Sequence, residues 1–143
     1  MRKLVAVPFV VALLALGAAG GSSAGRAANQ WSAKLTPSEV KPRQAVKNGS
    51  AGGSFSGKAL GNKLSFKLTF SKLSGPATGA HIGYGKKGRP GNISLALCAP
   101  CPNPTVNIAV INPSLVQAFR NHLLFVEVDT KKNPNGEIRG QLG

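Results

Sequence analysis

The sequence predicts an all-β fold: an antiparallel β-sandwich or barrel of seven or eight short strands, with one short helix near residues 113–121. Apolar and polar residues alternate along several short runs, as they do in strands that bury one face. Turns rich in Gly and Pro separate these runs at the spacing typical of sandwiches and barrels. The chain of 143 residues contains 18 Gly and 10 Pro, and its length suits a single domain.

The first half of the predicted domain contains a strand, a long connection and a hairpin. Residues 31–35 alternate as an edge strand does, and an irregular connection follows up to residue 53. Residues 54–60 and 63–70 are two alternating runs joined by Gly61-Asn62, which suits a tight hairpin because Gly accepts a positive φ. In the second run the lysines, the serine and the threonine share one face, which predicts a half-buried strand with a solvated basic surface.

The second half of the domain adds the helix and the remaining strands. Asn112 followed by Pro113 is a typical helix start, because it places an N-cap before Pro at the first helical position. The helix is therefore predicted over residues 114–121, and His122 is expected to be solvated near its C-terminus. The remaining strands are predicted at residues 77–84, 93–98, 105–111, 124–130 and 137–142.

The first residues have the pattern of a secretory signal peptide, predicted over residues 1–24. Arg2 and Lys3 precede a mostly apolar run at residues 4–16, and small residues follow. That run is too short for a transmembrane helix, which needs about 20 residues. We therefore expect a secreted or periplasmic protein with no transmembrane segment after cleavage.

The small residues around position 24 define the expected start of the mature chain. Ser22-Ser23-Ala24 favours cleavage after Ala24, with Ala27 and Ala28 as alternatives. A flexible start over residues 25–30 and a β domain over residues 31–143 are predicted to follow.

Cys98 and Cys101, the two cysteines of the chain, form a CxxC motif. In a cytosolic protein this motif suggests redox or metal chemistry. Here three prolines surround it, and Pro residues argue against the helix that a thioredoxin-type motif opens. Export to an oxidising compartment favours a local structural disulfide between them, and a redox enzyme is the less favoured alternative.

Several segments follow one another in a recognisable order. They are LTPSEVKP at residues 35–42, LSGPAT at 73–78, AHIG at 80–83, GRPG at 88–91, FVEVDT at 125–130 and NPNGEIRGQL at 133–142. Together these segments resemble the CHRD domain, a module first described as a repeat in chordin and also found in exported single-domain bacterial proteins. The resemblance covers residues 31–143 and implies an all-β sandwich. The biochemical activity of the family is poorly defined, so the resemblance implies an architecture more than an activity.

The chain departs from the pattern of this family at two strands. Relatives usually have His-x-His where this chain has His81-Ile82-Gly83, and V-N-V-H-T where it has Val126-Glu127-Val128-Asp129-Thr130. If the histidines of relatives form a metal site, this chain keeps one imidazole and offers carboxylates in place of the others.

One group of polar residues is a candidate site. On a strand, Glu127 and Asp129 share a face, as do Glu137 and Arg139. If strands 77–84 and 124–130 are neighbours, as the family pattern suggests, His81 meets Glu127 and Asp129. Arg139 can then neutralise the carboxylates. We favour a structural network that joins the last strands; the alternative is a weak site for a divalent cation such as copper or zinc, for which these ligands are sparse.

The formal net charge is +14, and two loops concentrate it. Lys86, Lys87 and Arg89 lie in one predicted loop, and Lys131 and Lys132 lie in another. The charge predicts attraction to anionic envelope or matrix polymers, and the alternative interpretation is a solvated surface that keeps the protein soluble. Specific nucleic-acid binding is not expected, because aromatic residues are few and no recognition motif occurs.

These observations predict an exported, non-catalytic module that binds anionic surfaces. No enzyme is expected, because four carboxylates and two histidines leave little acid–base chemistry and no nucleophile-elbow motif is found. No cofactor is expected apart from the alternative above, an extracytoplasmic copper- or zinc-binding protein with a reduced His and carboxylate site.

Overall fold

The structure is a computed structural model that describes residues 29–143. The predicted signal peptide and its three candidate cleavage sites lie outside these residues. Within them, eight strands, one α-helix and a short 3-10 helix at Pro37–Glu39 follow one another. The strands are β1 (Gln30–Leu35), β2 (Gly52–Leu60), β3 (Lys63–Ser71), β4 (Ala77–Tyr84), β5 (Asn92–Cys98), β6 (Thr105–Val110), β7 (Leu124–Thr130) and β8 (Ile138–Gln141), and helix α1 is Pro113–Arg120.

The strands form two antiparallel sheets, in the orders β1-β2-β3-β6 and β5-β4-β7-β8. The predicted β-sandwich with one short helix is therefore confirmed. Alternate residues of each strand face a shared core, among them Leu64, Ile82 and Val126, which are fully buried. Helix α1 covers one end of this core, where Phe119 stacks on Trp31 with ring centroids 4.6 Å apart. Among residues 29–143, no helix is long and apolar enough to cross a membrane.

The two edges of the sandwich are closed differently. At one edge β1 approaches β8, and Thr36 and Arg139 exchange two backbone hydrogen bonds of 2.9 and 3.0 Å. Gly140 permits this approach, because a Cβ there would collide with the carbonyl oxygen of Lys34. At the other edge the connection between β5 and β6 contains the Cys98–Cys101 disulfide, which confirms the predicted pairing.

The outer faces of the two sheets also differ. The outer face of the β1-β2-β3-β6 sheet is exposed, whereas connections cover the outer face of the other sheet at β7 and β8 and leave β5 exposed. Strand β7 consequently has every residue buried except the half-buried Asp129. Buried and exposed residues therefore do not alternate along β7, because connections replace solvent on its outer side.

A buried carboxylate fixes the turn between β7 and β8. Both oxygens of Glu137, a fully buried residue, accept hydrogen bonds. The backbone N–H of Ser74 donates to Oε2 at 2.8 Å, and the Ser74 hydroxyl donates to Oε1. Asn133 Nδ2 and Thr130 Oγ1 donate to Oε1 at 2.8 and 3.2 Å. Burial opposes ionisation of Glu137, but the bonds from Ser74, Asn133 and Thr130 outweigh it and hold its pKa below the ordinary value.

Replacing Glu137 with Gln should destabilise the fold. An amide of the same size presents two N–H donors where donors already converge, so we expect a loss of about 3 kcal/mol in the free energy of unfolding. The depressed pKa adds a pH signature: the wild type should lose stability as the pH falls below the ordinary value of 4.5. Urea denaturation between neutral and acid pH measures both effects.

The matched control is Glu39→Gln, which changes a partly exposed carboxylate in the 3-10 helix. An equal loss in both variants would contradict a special role for the Glu137 network.

Candidate functional site

A row of charged residues crosses the covered face of the second sheet. The register pairs His81 of β4 with Glu127 of β7, and Glu127 with Arg139 of β8. These three residues are 6%, 6% and 1% exposed. Asp129 lies two residues beyond Glu127 on the same face of β7, so the predicted neighbours do share one surface.

His81 lies between the two carboxylates. Its Nε2 is 3.4 Å from Glu127 Oε1, and its Nδ1 is 3.5 Å from Asp129 Oδ2. Burial alone would lower the pKa of His81, but the hydrogen bonds and charges of Asp129 and Glu127 outweigh burial and raise the pKa from 6.5 to about 9. The ring is therefore an imidazolium at neutral pH, and both of its N–H groups face carboxylate oxygens.

Arg139 does not form the ion pair that the sequence analysis predicts. Among the described residues no carboxylate oxygen lies within 4.0 Å of its guanidinium. The group instead lies over the ring of Phe125, 3.5 Å from the ring centroid, and Nη2 donates to the Lys86 carbonyl at 3.3 Å. Burial lowers the pKa of Arg139, and the charges of Glu127 and Glu39 oppose that effect. Arg139 thus neutralises the row through its charge without direct contact.

Glu137 does not join the row, which corrects its predicted membership. It precedes β8, and its carboxylate points into the turn toward Ser74, Asn133 and Thr130. Four donors are available there, so the carboxylate is satisfied away from His81. The turn still supports the row, because a Cβ at Gly136 would lie only 2.5 Å from Glu127 Cδ.

Phe125 is a part of this site that sequence reasoning missed. Its ring fills space left by three glycines, Gly83, Gly85 and Gly91, and a Cβ at any of them would crowd the ring. The other face of the ring carries Arg139. The glycines around GRPG were visible in the sequence, but only the register of β4 with β7 shows that they surround one aromatic ring.

The row also has the spacing of a possible metal site, because His81, Glu127 and Asp129 offer ligand atoms within 4.8 Å of one another. However, a metal binds the deprotonated nitrogen of an imidazole, and the adjacent carboxylates raise the pKa of His81 to about 9, which favours the protonated ring. The raised pKa therefore favours the structural network over a copper or zinc site.

The predicted basic loops do not form one surface. The first loop, with Lys86, Lys87 and Arg89, follows β4. The last residue of β4 pairs with the first residue of β7, so this loop lies at the start of β7. Lys131 and Lys132 follow the opposite end of β7. Lys87 also lies 3.9 Å from the Glu39 carboxylate, so part of the charge in the first loop is compensated.

A different surface concentrates uncompensated positive charge. The lysine face is the outer face of the first sheet, and its exposed lysines are Lys34, Lys58, Lys63 and Lys67. Ser54, Ser56 and Ser65 lie between them on the same side of the strands. Lys58 lies about 8 Å from Lys63 and from Lys67 at standard strand spacing. The alternation along β3 indicated part of this face, but the sequence alone left the other lysines scattered.

Comparison with known proteins identifies a family but no individual related protein. The family model of the CHRD domain matches residues 31–142, which is nearly all of the described chain. A search of the curated proteins found no match, and a search of the solved structures found none either.

The protonated state of His81 should make stability depend on alkaline pH. Its raised pKa contributes stability that is complete below pH 6.5 and is lost as the pH rises through about 9. We expect the wild type to lose about 3 kcal/mol across this window, and His81→Gln to be less stable at pH 6 but nearly independent of pH. Urea denaturation at several pH values measures this.

Unfolding of the wild type and of His81→Gln with added zinc or copper tests the alternative, in which His81 is a metal ligand. A metal-induced rise in the unfolding midpoint that disappears in His81→Gln would show that the imidazole is a ligand, and would overturn the structural interpretation.

Removing the Arg139 guanidinium should destabilise the second sheet. Arg139→Ala leaves the buried Glu127 and the half-buried Asp129 with one positive partner, so we expect a loss of about 3–5 kcal/mol. Arg139→Lys should lose less, because the charge stays while the planar stack on Phe125 is lost. Thermal unfolding compares both with Arg120→Ala, an exposed change on α1 that should cost under about 1 kcal/mol. Equal midpoints for Arg139→Ala and Arg120→Ala would contradict this role.

Proposed function

The chain belongs to the CHRD domain family, and from that premise we propose that it is an exported, non-catalytic module that attaches to anionic lipid surfaces through the lysine face. The supporting observation is the separation of charge between the two sheets. All four Asp and Glu side chains of the chain lie on the side of the second sheet, in β7, in the β7–β8 turn and in the 3-10 helix beside β8. No Asp or Glu side chain therefore lies among the lysines of the lysine face.

An aliphatic stripe beside the lysines favours a lipid surface over a soluble polymer. Val106, Ile108 and Val110 of the edge strand β6 are 69%, 59% and 69% exposed, and Leu60 is 74% exposed. The register places Val106 beside Lys67, and Val110 beside Lys63. Exposed apolar area next to positive charge suits a bilayer, where headgroups attract the lysines and the aliphatic groups enter the boundary with the acyl chains.

The attraction between the lysines and the headgroups gives only weak attachment by itself. A lysine near an anionic membrane contributes about 1 kcal/mol, so the four lysines give about 4 kcal/mol, which corresponds to weak binding. Partial burial of the aliphatic stripe adds area-dependent stabilisation of about 25 cal/mol per Å². We therefore expect reversible attachment that weakens as salt screens the charges.

Two further features support an extracellular setting. The apolar run at residues 4–16 with its basic start has the pattern of a signal peptide, and the Cys98–Cys101 disulfide suits an oxidising compartment. Export of this chain is part of the proposal.

Vesicle sedimentation tests the proposed attachment. The disulfide-bonded domain should sediment with vesicles of phosphatidylcholine mixed with phosphatidylglycerol. With vesicles of pure phosphatidylcholine it should remain in the supernatant. The double variant Lys58→Gln, Lys67→Gln should bind about 30-fold more weakly, since two lysines supply about 2 kcal/mol. The matched control is Lys131→Gln, Lys132→Gln, which has the same net charge but leaves the lysine face intact and should bind as the wild type does.

The aliphatic stripe is tested separately, with Ile108→Ser. This variant should lose vesicle binding while still binding dextran sulfate, a soluble polyanion. Equal vesicle binding by Ile108→Ser and the wild type would contradict the contribution of the aliphatic stripe, and binding of the wild type to neither probe would overturn the proposed function.

A further inference from the structure

A small cavity lies on the opposite side of the molecule from the lysine face. Its volume is about 260 Å³, below the range of pockets that hold drug-sized ligands. Three prolines from three connections, Pro42, Pro90 and Pro134, line it together with Ile93. The charged row forms its polar part, because His81, Glu127, Asp129 and Arg139 also line it.

Three buried polar atoms of this row have no hydrogen-bond partner among the described residues. They are Glu127 Oε2, Asp129 Oδ1 and Arg139 Nη1. The other atoms of the same groups are engaged, with His81 or with the Lys86 carbonyl. An unpaired polar atom in a buried position costs about 1–3 kcal/mol. The lining of the cavity therefore contains two carboxylates and one guanidinium whose hydrogen-bonding capacity is not fully used among the described residues.

We propose that this cavity binds one ring of a neutral saccharide. A hydroxyl group both donates and accepts hydrogen bonds, so adjacent hydroxyls can donate to the carboxylates of Glu127 and Asp129 while one accepts from the guanidinium of Arg139. The prolines and Ile93 provide apolar walls for the C–H surfaces of the ring. The small volume suits a single ring.

Charge excludes the other simple classes of ligand. The two carboxylates are balanced by the positive charges of His81 and Arg139, and Lys41 also lines the cavity, so a cation gains no net attraction. An anion would meet two unpaired carboxylate oxygens. A purely apolar ligand would leave all three polar atoms unsatisfied, at the cost given above. A neutral molecule with several hydroxyls satisfies them without introducing charge.

Saturation-transfer NMR tests this proposal on the disulfide-bonded domain. The probes are glucose, galactose, mannose and N-acetylglucosamine, each as the free sugar and as its methyl glycoside, which imitates the end of a glycan chain. At least one probe should bind saturably, and binding should persist at high salt because no charge is exchanged. A preference for the glycoside would identify a chain end as the ligand, and a preference for the free sugar would identify a monosaccharide.

Two variants connect binding to the cavity, one at its rim and one at the half-buried carboxylate of Asp129. Ile93 is 68% exposed at the cavity rim, so Ile93→Trp should narrow the entrance and weaken binding at least tenfold. Ile108→Trp is the matched control, because it enlarges an equally accessible aliphatic residue on the lysine face. Asp129→Asn should also weaken binding at least tenfold, since an amide can still accept from His81 but turns a donor toward the sugar hydroxyl.

Saturable binding by no probe, or affinities unchanged in both cavity variants, would overturn the proposal. Vesicle binding uses the other sheet and is salt-sensitive, so either proposal can fail while the other stands.

Discussion

Burial of both faces of β7 is the constraint on which the second sheet depends. A strand with one solvated face can leave charged side chains in water, but β7 carries Glu127 and Asp129 beneath covering connections. Buried charges need partners. The partners come from the two neighbouring strands, His81 on β4 and Arg139 on β8. The strand order β5-β4-β7-β8 therefore pairs the backbone of β7 and also brings positive charges to its two carboxylates.

The last segment of the chain is a structural unit for several separate reasons. Asn133 donates to Glu137 and accepts from the backbone of Val46, which ties the turn to the long connection after β1. Gly136 has a φ of +114° and leaves room for Glu127. Arg139 then balances the negative charge of the carboxylates in the charged row. Changing one of these residues would disturb a different contact in each case, so the segment acts as one structural unit.

The sequence predicted the elements well, because hydrophobic alternation and turn residues are local signals. It also predicted that His81, Glu127 and Asp129 share a face, given that β4 and β7 are neighbours. It failed where contacts depend on long connections. The covering of β7, the capture of Glu137 by Ser74 and the stacking of Arg139 on Phe125 join residues far apart in the chain, and no short pattern encodes them. The lysine face was missed for the same reason, since three strands contribute to it.

The departures from the family pattern are physically coupled. Gly83 stands at the place of the second histidine in the usual His-x-His. The Phe125 ring fills the space that a side chain there would need. The opposite face of that ring supports the guanidinium of Arg139. A second imidazole at this position would therefore displace Phe125 and with it the positive charge that balances the carboxylates. An aromatic ring, a cation stacked on it and the imidazole of His81 thus share the outer face of this sheet with the two carboxylates, and the residues of the charged row line the cavity.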